Sequence, residues 1–332
     1  MKRFLQALLL ALLCIVVILF VFSYRAPISH IEYGVSFSKL HSDDLGLNWR
    51  ETYLAILDDL KVRHLRLSAH WPMIEPGDGV FHFDEMDFQM TEAAKRNADV
   101  VLAVGRRLPS WPECHDPAWV GGLSIDERQK KQLQYMTEVV NRYKNAPNLK
   151  YWQVENEPFL YFAPQYCGTF DEAFFQTELL LVRSLDPNHP ILVTDSGELG
   201  RWYKAKGYGD AFGTSLYLYV YYEHVGFLRY PITPGFFRIK QNITDLLVGT
   251  KPSLLIELGA EPWLQQSIAS TTIDMQLQHM DLPRIQSIVS FASQTGFSQQ
   301  YLWGAEWWYY MKGKNHPEIW EGMKKLYSGN TQ

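Results

Sequence analysis

Tyr151-Trp152-Gln153-Val154-Glu155-Asn156-Glu157-Pro158-Phe159 sets an apolar run of strand length directly against a cluster of carboxyl and amide side chains. The pattern recurs on both sides of it. Further apolar runs stand at Ile31–Phe37, His64–Ser68, Val100–Val104, Ile191–Thr194, Ala211–Tyr217, Ser253–Ile256 and Ser298–Trp303. Helical patterns lie between them: Tyr53, Ile56, Leu57 and Leu60 repeat at i, i+3, i+4 and i+7, the spacing of one buried helix face. Asn48 with Glu51, Ser124 with Glu127, and Thr169 with Glu172 read as helix N-caps, each with its reciprocal Glu three residues on. Strands alternating with helices predict a parallel sheet, and eight of them close a barrel. The expected fold class is therefore α/β, a (β/α)8 TIM barrel. No Gly-rich phosphate loop follows the first run, which argues against an open dinucleotide-binding sheet. No repeat, low-complexity tract or Pro/Ser-rich linker divides the chain. The pattern is weakest over residues 219–251, where aromatic residues blur strand and helix signals.

Composition narrows the function. The 332 residues are 47% hydrophobic, enough for a large core, and 31 Lys+Arg against 36 Asp+Glu leave a formal charge of −5. That balance gives no general attraction to nucleic acid, so no nucleic-acid partner is expected. With 18 Phe, 19 Tyr and 11 Trp the chain is not disordered, and it carries rings suited to a heavy core or to stacking on a flat ligand.

The N-terminus reads differently. After Lys2 and Arg3, residues Phe4–Phe22 are apolar except for Gln6. A helix of ~19 residues rises about 28 Å, enough to cross the hydrocarbon core. No small-residue cleavage pattern follows, and Leu13 before Cys14 makes a poor lipobox. The expectation is a transmembrane signal anchor at residues 1–26, the N-terminus held in the cytoplasm by its positive charges, and one domain at residues 27–332 beyond the membrane. A cleaved signal peptide is the alternative. Either places the folded part outside the cytoplasm, periplasmic or extracellular.

Functional residues of a TIM barrel project from the C-terminal ends of its strands. The second run leads to Arg66, His70, Trp71 and WPMIEPGDGVFHFDEMD. The third leads to Arg106, Arg107 and Trp111, and the fourth to Asn156 and Glu157. The sixth run gives Ser215-Leu216-Tyr217-Leu218-Tyr219, the seventh Glu257 in LLIELGAEPW, and the eighth Trp303 and Glu306. Glu157 and Glu257 each directly follow an apolar strand, on opposite sides of the ring, where a carboxylate costs desolvation unless something pairs or uses it. Two carboxyl groups across a pocket are the apparatus for splitting a glycosidic bond, and surrounding rings suit the apolar faces of sugars.

Over nearly all of residues 31–310 the chain resembles the clan A retaining glycoside hydrolases, the TIM-barrel group of cellulases, mannanases, β-galactosidases and β-xylosidases. WPMIEPGDGVFHFDEMD is similar to the clan's stretch after strand 2, YWQVENEPF resembles its strand-4 Asn-Glu-Pro signature, and LLIELGAEPW resembles its strand-7 nucleophile segment. The resemblance implies Glu157 as general acid/base and Glu257 as nucleophile of a β-glycosidase acting on an oligo- or polysaccharide. It implies that Asn156 hydrogen-bonds the sugar's 2-hydroxyl, that Arg66 helps keep the nucleophile ionised, and that Trp303 forms the platform under the sugar. Ser215–Tyr219 resembles an S-x-H-x-Y pattern, in which Tyr219 hydrogen-bonds the nucleophile and Tyr217 replaces a His. A retaining enzyme needs its two carboxyls about 5–5.5 Å apart.

His70, Trp71, Trp111 and Glu306 join the substrate-binding candidates, the tryptophans with loop core as the alternative. Glu155 reads as a structural acid paired with Arg66 or Arg106. Arg106 and Arg107 read as structural pairs, with an acidic sugar as their alternative partner. The remaining histidines lack H-E-x-x-H or comparable spacing, so neither a metal nor another cofactor is expected. Cys114 and Cys167 fall in loops after neighbouring strands, which can approach at one face of the barrel. In an oxidising compartment a disulfide is expected there. The rival from another class is a catalytically silent carbohydrate-binding barrel.

Overall fold

The computed structural model describes residues 4–6, 17, 20–24, 28–111, 113–160 and 167–329. Among the described residues there are ten strands: β1 (Glu32–Ser36), β2 (His64–Ser68), β3 (Asp99–Val104), β4 (Leu149–Val154), β5 (Ile191–Asp195), β6 (Ala211–Leu216), β7 (Tyr219–Tyr222), β8 (Gly226–Arg229), β9 (Ser253–Gly259) and β10 (Gln299–Trp303). β1–β6, β9 and β10 pair in parallel and close into a barrel, β10 returning to β1. These are the eight runs read from the sequence. β7 and β8 form a separate antiparallel hairpin, and with the helix Pro234–Val248 they fill the stretch where the sequence pattern blurs.

Alternation along each strand builds two apolar layers. Val101, Leu192, Ala211, Leu254, Ile256 and Tyr301 fill the barrel interior, while alternate residues such as Leu102, Val193, Leu255 and Leu258 pack outward against the helices. The helix Trp49–Asp58 buries Tyr53, Ile56 and Leu57, and Asn48 Oδ1 caps it, accepting from the Arg50 N–H at 3.2 Å. Ser124 and Glu127 form the reciprocal capping box of the helix Ile125–Tyr143. The helix Glu172–Leu185 departs from expectation. Asp171, which directly precedes its first residue, accepts from the Ala173 and Phe174 N–H groups at 3.0 Å, a position from which Thr169 is two residues removed.

β9 carries one residue too many for its neighbours. Thr214 pairs with Leu255 but Ser215 with Glu257, and the register to β10 shifts over the same stretch. Strict alternation from the inward Ile256 would turn Glu257 out to the helices. The bulge advances the phase by one residue, so that Leu258 faces out and Glu257 faces the barrel mouth.

The expected membrane helix falls for the most part outside the described residues. Among the described residues no helix is long and apolar enough to cross a membrane. The C-terminal end of the expected anchor lies on the helix Pro234–Val248: Arg238 Nε donates to the Ser23 carbonyl at 2.6 Å, and Asn242 Nδ2 donates to those of Phe22 and Tyr24 at 2.8 and 2.9 Å.

Candidate active site

Beyond β4 the backbone of Glu155 and Glu157 turns left-handed, at φ +58° and +45°. For side chains of this size that conformation costs on the order of 1 kcal/mol or more and persists only where surroundings hold it. Both neighbouring strands do. The Glu155 carboxylate accepts from the backbone N–H groups of Arg106 at 2.7 Å and Arg107 at 2.6 Å. The Asn156 N–H donates to the Arg107 carbonyl at 2.6 Å, and the Glu157 N–H donates to Thr194 Oγ1, on β5, at 2.8 Å. Gly105 makes room for this: a Cβ there would stand 2.5 Å from Glu155 Oε1. Beneath, Gln132 Nε2 donates to both Glu155 and the buried Glu178. Burial, then the Glu155 charge, pushes the Glu178 carboxyl well up, toward its protonated form.

Arg66, buried on β2, spends its guanidinium on three acceptors: Gln153 Oε1 at 2.8 Å, Asn156 Oδ1 at 2.7 Å, and Glu257 Oε2. A buried cation is stable only when its donors are satisfied, and this fork ties β2, β4 and β9 together at the barrel mouth. With its Oδ1 taken by Arg66, Asn156 has Nδ2 as the end left to donate. The second Glu257 oxygen accepts from the Tyr217 hydroxyl at 2.6 Å. Burial, followed by the Glu257 charge, pushes the Tyr217 hydroxyl well up and so keeps it a donor. Glu198 positions this tyrosine, accepting from its backbone N–H at 2.9 Å.

Glu157 sits in the opposite electrostatic setting. Burial pushes its carboxyl well above the ordinary range, the charges of Glu113 and Glu257 push it further, and the Ser215 hydroxyl and Arg107 only partly oppose them. One strand-end carboxyl is therefore bound by an arginine and a tyrosine. The other is driven toward its protonated form.

Aromatic rings border these groups. Trp303 Nε1 donates to Glu261 Oε1 at 2.7 Å, and its ring stacks on His41, whose Nε2 is 2.7 Å from Glu261 Oε2. Burial alone would lower the His41 pKa, but the Glu261 and Glu306 carboxylates outweigh it and carry it to about 9. Trp263 is half exposed and meets the Tyr217 ring edge-on at 5.0 Å. Trp111 is 61% exposed on the loop after β3. That loop is joined to the loop after β4 by the Cys114–Cys167 disulfide, Cα–Cα 5.4 Å. Arg106 braces the join, donating to the Cys167 carbonyl at 2.7 Å and pairing with Asp116.

Other expected site residues lie elsewhere. The hydrogen bond to Glu257 belongs to Tyr217, the first residue after β6, and not to Tyr219. Tyr219 opens the β7 hairpin, where the Arg284 guanidinium lies 5.0 Å from its ring. Glu306 is fully buried: as the second residue of the helix Ala305–Gly313 it turns inward and accepts from the Ser38 N–H, and burial pushes its carboxyl to about 7. Trp71 is core, its Nε1 donating to Glu75 and its ring stacked on Tyr135. Trp307 and Trp308 are core as well. His70 is 2% exposed with Nε2 2.9 Å from the Pro109 carbonyl, and burial, then His115, lowers its pKa to about 3. It is a neutral brace of the loop after β3.

Sequence reading missed Glu113, His41, Glu198, Glu261 and Trp263. Glu261 and Trp263 lie four and six residues past Glu257, within reach of a closer reading of that strand end. His41 has no such signal, because its partner is 220 residues away.

No protein-family model matches the chain, and no curated protein matches it in sequence. Solved structures do resemble it in fold. A GH5_18 protein from Bifidobacterium longum subsp. longum aligns at TM-score 0.57 and 14% identity over 83% of this chain and 70% of that one. An endo-1,4-β-D-mannanase from Thermotoga petrophila aligns at 0.54 and 16%, over 82% and 87%. A β-galactosidase from Marinomonas ef1 aligns at 0.53 and 13%, over 82% and 54%, so that the chain spans about half the length of that protein. At these identities the likeness is one of fold.

Proposed function

We propose that the chain is a retaining β-glycosidase that hydrolyses an oligo- or polysaccharide, with Glu257 as nucleophile and Glu157 as general acid/base. The observation that carries this reading is the contrast between the two carboxyls: Glu257 is held by Arg66 and Tyr217, while Glu157 is buried and driven toward its protonated form. A carboxylate with both oxygens oriented can attack the anomeric carbon. A carboxylic acid beside it can give its proton to the glycosidic oxygen as that bond breaks. Water then enters; Glu157, now ionised, takes its proton, and attack on the anomeric carbon frees Glu257. Asn156 Nδ2 is the donor for the sugar's 2-hydroxyl, Trp303 is the platform beneath the ring, and Trp263 and Trp111 supply further flat surface along the cleft.

The segment Phe4–Phe22 is the proposed membrane anchor, with residues 27–332 forming the catalytic domain outside the cytoplasm. An anchored barrel suits a cell-envelope or exported polysaccharide.

The test compares the full chain in detergent with its Glu257→Gln variant on β-linked glucans, mannans, xylans, galactans and bacterial exopolysaccharides, reading new reducing ends. Cleavage by the wild type and near-silence of the variant is expected. Equal cleavage by both overturns Glu257 as nucleophile. Glycan binding without cleavage by the wild type points to a carbohydrate-binding barrel instead.

A further inference from the structure

The loop after β3 holds a third carboxyl group that the mechanism above leaves unused. Arg107 and Cys114 bridge as an antiparallel pair, the Leu108 N–H donates to the Glu113 carbonyl at 2.8 Å, and the Glu113 N–H donates to the Ser110 carbonyl at 2.7 Å. This closed turn places Glu113 at φ +69°, a conformation in which glycine or asparagine is the inexpensive choice. A glutamate at such a position is strained, and its side chain is held by the same loop. Arg107 Nε and Nη2 both reach Glu113 Oε2, at 2.7 and 2.6 Å. Arg107 Nη1 donates to the Leu160 carbonyl at 2.8 Å, three residues past Glu157, and the Arg107 carbonyl accepts from Asn156. Arg107 thus clamps the Glu113 turn onto the turn that carries Glu157. The Cys114–Cys167 bridge tethers the same turn from its other end.

We infer that Glu113 is a positioning residue of this site, a third carboxylate pinned between Arg107 and the Cys114–Cys167 bridge that acts through its charge on the acid/base Glu157. This rests on the reading of Glu157 as the acid/base.

The electrostatics agree with the geometry. After burial, the Glu113 charge is the largest influence pushing the Glu157 carboxyl up, ahead of Glu257. Glu113 in turn is raised by burial, opposed by Arg107 and raised again by Glu257. The other groups facing Glu157 are the Ser215 hydroxyl, Arg107, Lys240 and the Tyr217 hydroxyl. Removing Glu113 takes away a like charge and also leaves the Arg107 cation unpaired beside Glu157. Both changes favour the ionised form.

The experiment is a titration followed by carboxyl carbon-13 resonances on the full, glutamate-labelled chain in detergent, with Glu157→Gln and Glu113→Gln assigning the signals. In Glu113→Gln the Glu157 midpoint is expected to fall by about one pH unit. In Glu113→Asp, which keeps the charge, it stays near the wild-type value. An unchanged midpoint in Glu113→Gln overturns the proposal, and so does an equal fall in both variants, because then the charge is not what acts. If Glu113→Gln does not fold, the wild type decides. Coupled groups show an inflection at each other's midpoint, and two independent single-step curves overturn the proposal. No substrate enters this measurement, so its failure is distinct from a failure to find a cleaved glycan.

Discussion

Glu157 illustrates the tension between stability and chemistry in one side chain. Burial, then the charges of Glu113 and Glu257, raises its folded-state pKa above the unfolded value of about 4.3. Its contribution to stability is therefore complete below that unfolded value and is lost as pH rises through the folded one. Glu157→Gln removes the titration while keeping most of the shape. The variant is expected to melt close to wild type near pH 4 and progressively above it as pH rises, at about 2 °C for each kcal/mol relieved in a chain of this size. A calorimetric series between pH 4 and pH 9 checks this, and a variant less stable than wild type throughout would contradict it. Activity should move the other way. Hydrolysis of substrates with poor leaving groups should decline as pH rises through the folded pKa of Glu157 and drop about 10²–10⁴-fold in the variant. Activated aryl glycosides, whose leaving group needs no proton, should still release their first product in a burst. Loss of that burst would remove Glu157 from the acid role.

Among the elements, β9 and the turn after β6 form a unit around Tyr217. A Cβ at Gly259 would stand 2.4 Å from Tyr217 Cδ1, so the ring reaches Glu257 only because β9 has no side chain there. A hydrogen bond to a charged group contributes about 1.5–3 kcal/mol, so Tyr217→Phe is expected to lower kcat/KM by about 10- to 100-fold. Gly259→Ala displaces the same ring and should cost at least as much. The double variant should be no worse than Gly259→Ala alone, because both act on one contact; additive losses in kcat/KM on an aryl β-glycoside would show that Gly259 matters for another reason. The same two elements mark where sequence reading stops. Apolar runs and their spacing located all eight barrel strands, and the strand ends located Arg66, Asn156, Glu157 and Glu257. Choosing between Tyr217 and Tyr219 required knowing that β6 ends at Leu216 and that the chain then turns into a hairpin. Both tyrosines have the same parity along an extended chain, so alternation cannot separate them. The bulge in β9 is equally silent, since nothing in Leu-Leu-Ile-Glu-Leu announces an extra residue. His41 depends on Glu261, 220 residues away, brought near by closure of the barrel, whereas Glu113 pairs within its own loop with Arg107, at a left-handed backbone position that no sequence pattern announces.

At the scale of the whole molecule, the disulfide and the apolar N-terminus each give a test of the proposed placement outside the cytoplasm. A Cys114–Cys167 bridge persists where thiols are oxidised, and the proposed anchor, with its N-terminus inside, would carry the barrel to such a compartment. The bridge closes a sequence separation of 53 residues, and cross-linking a loop of that length stabilises a fold by about 2–4 kcal/mol. Cys114→Ser/Cys167→Ser should therefore melt several degrees below wild type while keeping the barrel's circular dichroism. The chain has three cysteines, and Cys14 lies within the apolar segment. Denatured protein taken from membranes should gain two more alkyl groups when alkylated after reduction than when alkylated without it. Equal masses from the two treatments would mean that Cys114 and Cys167 are free thiols and that the chain matured in a reducing compartment. Membrane attachment is read separately, by washing membranes from expressing cells with alkaline carbonate. An anchored chain stays in the pellet, and a chain of residues 27–332 goes to the supernatant. Release of the full chain would remove the anchor and leave the site unaffected, because Arg66, Asn156, Glu157, Tyr217 and Glu257 are held by barrel strands and the turns that follow them.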